Sequence, residues 1–302
     1  MTMSHELEAM NAALIEQIKS DEQMAIAHSQ QAMHEQGLKA QFECGCGEDS
    51  LELAGLNTKA LADLEDKINE KDDREFVEAD ALLAEESADP ELVSRLDVES
   101  GFAPEGAQII TPSWTDTFSD TLEHNVLAES TDVSAQPVLG GGTSKNVWNW
   151  AKGSGWGCTG GVGQNTQTVY WTFWFRPEAS RFYSIKPRFQ FNGYYIAKAN
   201  DKWYNCKNSQ VKISAHTQAY QYNWKHKDGV NLVNINKGNV NVNKRLDDSR
   251  FTSYSALLGK NDWAAIVCSV RLYVRAQGGG SYAKNDFSTG ANRVAVPYVI
   301  VN

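Results

Sequence analysis

The acidic and basic residues of this 302-residue chain are sorted along its length, and its aromatic rings are sorted with them. Residues 1–140 hold 31 acidic and 7 basic side chains, a net charge of −24, whereas residues 141–302 hold 7 acidic and 21 basic, a net of +14. The overall −10 conceals this division. All eleven tyrosines and eight of the nine tryptophans fall in the second part, against Phe42, Phe76, Phe102, Trp114 and Phe118 in the first. One core would not draw its residues so unevenly, so the pattern predicts two bodies of opposite charge. The expected fold class is α+β in separate domains. An acidic helical region occupies 1–100, a linker or arm 101–145, and a basic, aromatic-rich, all-β sandwich or jelly-roll-like domain 146–302.

In the acidic part, Leu7, Met10, Leu14 and Ile18 recur at three- and four-residue steps among Glu, Gln, Asn and Ala, the pattern of an amphipathic helix that Gly37 should end. A second helix should start at Asn57 or Thr58, either of which can cap it, and carry Leu61, Leu64 and Ile68 as its apolar stripe. Phe76, Val77, Leu82 and Leu83 extend that stripe or begin another segment. Asp89-Pro90-Glu91 reads as an N-cap followed by a first-turn proline, with Leu92, Val93 and Leu96 behind it. Helices this short and this negative need a packing partner. From Gly101 to Thr143 periodicity fades, yet Ile109, Ile110, Trp114 and Phe118 are too apolar for a solvated tether, so part of this stretch should dock on a neighbouring surface.

The basic part alternates with period two over 166–175, 182–191, 210–224 and 263–275, each segment rich in β-branched and aromatic residues. In the last, Ile266, Cys268, Val270, Leu272 and Val274 share one face, and Ser269, Arg271, Tyr273 and Arg275 the other. Shorter candidates bring the total to about eight or nine strands. A closing strand over 295–301 contains Pro297, which favours an edge or a bulge. Lys237-Gly238 as a two-residue loop predicts a hairpin that sets Asn236 opposite Asn239, Ile235 opposite Val240 and Asn234 opposite Asn241. Asn234, Asn236, Asn239, Asn241 and Asn243 would then gather on one face, either as a solvated surface or as a hydrogen-bonding platform for sugars or a second subunit.

The glycine-rich stretch 140–165 interleaves Trp148, Trp150 and Trp156, which either plug one end of the sandwich or offer flat platforms for sugar rings, membrane interfaces or subunits. It lacks the phosphate-loop pattern G-x-x-x-x-G-K-[ST]. The aspartates of the β domain sit in turn-like contexts such as KDG and LDDS, where Asx chemistry accounts for them, and no facing pair of carboxyls suggests a glycosidase. Cys158 or Cys206 with His216 or His226 match a catalytic pair by residue type only. His28, His34, Cys44 and Cys46 form one metal-like constellation, H-x5-H-x9-C-x-C. It is chemically adequate for zinc, but its spacing matches no common finger, so a reactive dithiol and an inert turn stay open beside it.

No run of about 18 apolar residues is present to form a membrane-spanning helix. The first twenty residues carry Glu6, Glu8 and Glu16 and neither a basic start nor an unbroken apolar stretch. Cytoplasmic synthesis without a cleavable signal is therefore expected, any release following a non-classical route. Five cysteines, an odd number, leave at least one thiol free and set a reduced compartment as the default. Nucleic-acid binding is not expected, because no RNP-like or helix-turn-helix signature accompanies the basic residues. The reading is a non-enzymatic structural or interaction protein that self-assembles as a homo-oligomer, its acidic helical arm packing on a basic β-sandwich with glycan contacts. Two alternatives stay beside it: a membrane-active protein that docks on an anionic membrane surface with the acidic half as mask, and a lectin-like carbohydrate-binding module.

Overall fold

A computed structural model describes residues 5–43, 52–89, 106–124, 143–155, 161–202 and 205–302; within these, side chains are described except at 29, 30, 32–43 and 119–124. The chain divides into two compact units, Met1–Gly45 and Cys46–Asn302. The first contains α1, His5–Glu43, along which Leu7, Leu14 and Ile18 share a face. Gly37, expected to end this helix, lies inside it. Helix-favouring residues on both sides outweigh one glycine, whose cost is only about 1 kcal/mol. The segment expected to form a helix after Pro90 lies outside the described residues.

The second unit opens with α2, Thr58–Glu86, followed by a mostly antiparallel, sandwich-like pair of curled sheets. Asn57 caps α2 as expected, its side chain accepting the Ala60 N–H at 3.0 Å. The strands are β1 (Gln108–Ile110), β2 (Trp114–His124), β3 (Ser144–Lys145), β4 (Val147–Lys152), β5 (Val162–Phe175), β6 (Arg181–Asn200), β7 (Asn208–Gln221), β8 (Asn223–Lys237), β9 (Asn239–Phe251), β10 (Tyr254–Leu258), β11 (Ala264–Gln277), β12 (Tyr282–Phe287), β13 (Arg293–Ala295) and β14 (Val299–Val301). Three strands, β1, β2 and β3, thus arise from the stretch expected to be a linker or arm: Ile109 pairs with Ile300, Trp114 with Thr172, and Lys145 with Val294. Pro297 interrupts the expected closing strand, which divides into β13 and β14.

One sheet runs β2-β5-β11-β7-β8. The other is organised around the 20-residue β6, which pairs with β9 and β10 along one edge and with β12, β13 and β14 along the other, β4 lying beyond β12. Their inner faces meet in one core that includes Trp171, Phe173, Phe189, Phe191, Ile213, Ile266, Leu272 and Phe287. The expected inward set of β11, Ile266, Cys268, Val270, Leu272 and Val274, is fully buried there. Cys268 is a free thiol whose burial raises its pKa. Cys206 is disulfide-bonded, so the default of reduced thiols does not hold at that residue.

The predicted hairpin is not formed. β8 pairs with β7, setting Asn236 opposite Gln210, and β9 pairs with β6, setting Asn239 opposite Asn200. Lys237-Gly238 therefore carries the chain from one sheet to the other. Gly238 packs so close that a Cβ there would meet Asp201 Cβ at 2.9 Å and the Lys207 carbonyl at 3.0 Å. Val233, Ile235 and Val240 still point into the core, because an arch between sheets satisfies the same alternation as a hairpin within one.

Candidate functional site

Register places three rows of side chains on the outer face of the larger sheet. Lys152, Tyr282 and Lys198 lie opposite one another across β4, β12 and β6; Trp150, Lys284 and Ile196 form the next row, and Trp148, Asp286 and Tyr194 the third. On β9, Asn241, Asn243 and Arg245 continue these rows. The same face thus carries cations, phenols and indoles, with β-sheet spacing of about 4.8 Å between neighbours in a row.

Helix α2 lies across this face with its acidic side inward. Glu65, Asn69, Asp72, Phe76, Asp80, Leu83 and Ser87 recur at three- and four-residue steps and so share one side of the helix. Lys207 and Glu65 form an ion pair in which the side chains are 1% and 2% exposed. Asn205 Nδ2 donates to Glu65 at 3.0 Å, and Lys207 Nζ also donates to Asn69 at 2.6 Å. Lys198 pairs with Glu75 at 2.5 Å and with Asp72 at 3.6 Å; Lys152 pairs with Asp73 at 3.0 Å, and Lys284 with Asp80 at 2.6 Å. The Tyr282 hydroxyl donates to Asp73, while the Tyr194 hydroxyl sits 2.8 Å from Asp80 and 3.1 Å from Asp286. Phe76 stacks on Tyr282 with ring centroids 4.2 Å apart and planes 10° apart.

The glycines between β11 and β12 permit this approach. A Cβ on Gly280, which has a positive φ, would meet Asn69 Oδ1 at 2.7 Å. At the helix end the Ser87 hydroxyl donates to the Leu83 carbonyl at 2.7 Å and accepts from Arg245 and Asn292 at 2.7 and 2.8 Å.

Burial and charge shift the ionisable groups in opposite directions. Desolvation raises the Asp72 carboxyl, opposed by the charge of Lys198. The hydrogen bond and charge of Lys198 hold Glu75 below the usual carboxylate range. Burial, then the charges of Asp286 and Asp80, push the Tyr194 phenol up. For Asp286, burial alone would raise the carboxyl, but the Ser288 and Thr289 N–H groups and Lys284 outweigh it and keep it low. The second carboxylate oxygens of Glu65 and Asp72 are buried and accept no hydrogen bond among the described residues.

A second candidate lies at the open edge, where β8 and β9 part company. A cleft of about 270 Å³ is lined by Ala215, Thr217, Asp228, Gly229, Val230, Arg250, Phe251, Thr252 and Ser253. Register shifts at Ile213/Ser214 and Gln218/Tyr220 bracket its floor. Phe251 is 40% exposed, and Thr252 Oγ1 is buried without a hydrogen bond among the described residues. Arg250 Nε donates to Asp248 at 2.6 Å, and Gly229 N–H to Asp228 at 2.7 Å. His216 sits against Gly229; burial first, then Lys227, Lys212 and Arg271, lower its pKa to about 4.

Of the residues singled out in the sequence, Trp148 and Trp150 are half-buried on the face that α2 crosses, and Trp156 lies outside the described residues. The five asparagines do not share a face. Asn239, Asn241 and Asn243 are exposed on β9 of one sheet, Asn234 and Asn236 on β8 of the other. His28 is exposed on α1, while the His34 side chain, Cys44 and Cys46 lie outside the described residues. Among the described residues no group of three or more His, Cys, Asp or Glu is arranged to hold a metal, and no helix is long and apolar enough to cross a membrane. Sequence reasoning did not find the lysines that meet α2, because they are spread over β4, β6, β12 and the segment before β7; nor did it find the open-edge cleft.

No family model and no curated protein matches the chain. Solved structures similar to it include a carbohydrate-binding module, TmCBM61, in complex with β-1,4-galactotriose (9% identity over 61% of this chain and 86% of that one, TM-score 0.20). Others are the enzymatically active domain of tailspike protein 4 from bacteriophage CBA120 (11%, 63% and 18%, 0.17) and the Arthrobacter globiformis T6 isomalto-dextranase complexed with panose (10%, 67% and 35%, 0.17). Likeness at these TM-scores says nothing of what this chain binds.

Proposed function

We propose that the protein is a non-enzymatic, lectin-like module that binds glycans at the open-edge cleft. The observation that carries this reading is the cleft's lining, in which the exposed Phe251 ring lies with Thr217, Asp228, Arg250, Thr252 and Ser253 around one concave site. A flat apolar ring beside several donors and acceptors suits a pyranose, which has one apolar face and a rim of hydroxyls. Asp228 is the one carboxylate in this lining, whereas glycoside cleavage uses two that face each other, so binding and not hydrolysis is proposed. A glycan array probed with the full chain, followed by calorimetry on Phe251→Ala, tests it. Retention of a defined glycan, weakened at least about tenfold by the substitution, is expected. Binding unaffected by the substitution, or no glycan retained, contradicts it.

Self-assembly is a second reading, favoured by the polar contact between α2 and the sheet. Ion pairs of this kind form equally well with the α2 of another copy, and little apolar surface holds the helix in place. Light scattering over a salt series tests it: concentration-dependent dimers or larger species support exchange, and a strict monomer at low salt and high concentration contradicts it.

A further inference from the structure

The face beneath α2 carries chemistry of its own. Lys152, Tyr282 and Lys198 form a row of cation, ring and cation, and Trp150 and Trp148 continue the same face along β4. α2 answers each group in kind: Asp73 lies on Lys152, the Phe76 ring on Tyr282, Asp72 and Glu75 on Lys198, Asp80 on Lys284. In effect the helix is a rod of carboxylates with one flat ring. At about 1.5 Å rise per residue, Glu65, Asp72 and Asp80 stand roughly 10 to 12 Å apart along it.

This occupant fits its seat imperfectly. Glu65 Oε2 and Asp72 Oδ2 are buried and accept no hydrogen bond among the described residues, and burial raises the Asp72 carboxyl. The apolar part of the contact is small: Leu83, Tyr194 and Ile196, with Phe76 and Ala79 beside them. Charge, and not a hydrophobic seam, therefore holds α2, and a ligand that supplies the same charges competes with it directly.

We propose that this lysine–tyrosine face is a binding site for a linear polyanionic glycan, with α2 as its intramolecular competitor. The proposal rests on the glycan-binding reading above and adds the class of ligand and a second site. A uronate polymer offers what α2 offers, namely carboxylates at a regular repeat for Lys152, Lys198, Lys207 and Lys284. Its pyranose rings stack on Tyr282 in place of Phe76. The sugar is preferred to an acidic peptide because the phenol and indole surfaces of Tyr282, Trp150 and Trp148 ask for a ring at each repeat.

Calorimetry and hydrogen exchange on the full chain, with oligogalacturonate as the probe, test the proposal. Saturating oligogalacturonate accelerates exchange of the α2 amides while β11 stays protected. Asp73→Asn combined with Asp80→Asn, which loosens α2 and leaves every lysine in place, tightens binding at least about tenfold, since the competent state is more populated. Phe76→Ala is a milder variant with the same sign, should the double substitution fold poorly. Lys152→Ala with Lys284→Ala weakens binding.

Unchanged α2 exchange at saturation overturns the proposal, as does poly-glutamate binding more tightly than the uronate. If Phe251→Ala abolishes uronate binding while the lysine variant does not, the cleft is the glycan site and this face is not. If neither neutral glycans nor the uronate are retained, the glycan reading itself has failed.

Discussion

The two faces of β6 bury their side chains by opposite means. Inward, Ile185, Phe189 and Phe191 enter an apolar core where shape and area determine the stability. Outward, Lys198 and Tyr194 are also buried, but under a helix that meets them with carboxylates. The first face is non-directional and tolerates many apolar solutions. The second is directional, each charge needing its partner, and removal of one partner leaves a buried charge exposed to no solvent and no counter-ion.

Substitutions on the two faces should therefore differ in kind as well as size. Phe191→Ala opens a cavity in the core and is expected to cost about 3 to 5 kcal/mol, read as a loss of global stability in denaturant titration. A loss confined to α2 would break the contrast. Glu65→Gln leaves Lys207 buried without its counter-charge and is expected to cost about 3 kcal/mol or more, but locally, as faster exchange of the α2 amides with β11 unaffected.

The more exposed pair between Lys152 and Asp73 is expected to contribute less than about 1 kcal/mol, so Asp73→Asn alone should loosen α2 only slightly, and less so in high salt. An effect that appears only in acid concerns the open edge. His216 has a folded pKa of about 4, below its unfolded 6.5, so its neutral form favours the folded state. That contribution is complete above pH 6.5 and is lost as pH falls towards 4. Imidazole titration near pH 4 by NMR, and a smaller acid-induced fall in Tm for His216→Gln, are expected.

Charge segregation and alternation made the broad architecture legible, because period two is imposed by the backbone itself. β11 was readable residue by residue, with Ile266 to Val274 inward. Alternation fixes a face and not a partner, however. Val233, Ile235 and Val240 point inward whether Lys237-Gly238 makes a hairpin or an arch between sheets, so the pairing of the asparagines was misread.

α2 was misread in its orientation. Its Leu61, Leu64 and Ile68 stripe suggested a buried apolar side, yet Leu64 is 48% exposed while Glu65 and Asp72 are buried. A local stripe cannot anticipate four lysines converging from segments far away in sequence. The asparagine cap, by contrast, was legible because capping is decided within one turn.

A charge swap across the most buried pair tests the central claim most directly. The side-chain amides of Asn69 and Asn205 beside it can serve either polarity, while the nearby carboxylate of Asp72, which feels the charge of Lys207, opposes an acid at that position. Hydrogen exchange of α2 should rise sharply in Lys207→Glu and recover substantially when Glu65→Lys is added. Protection of α2 that is unchanged by the single substitution would contradict the view that paired charges hold this helix on the sheet.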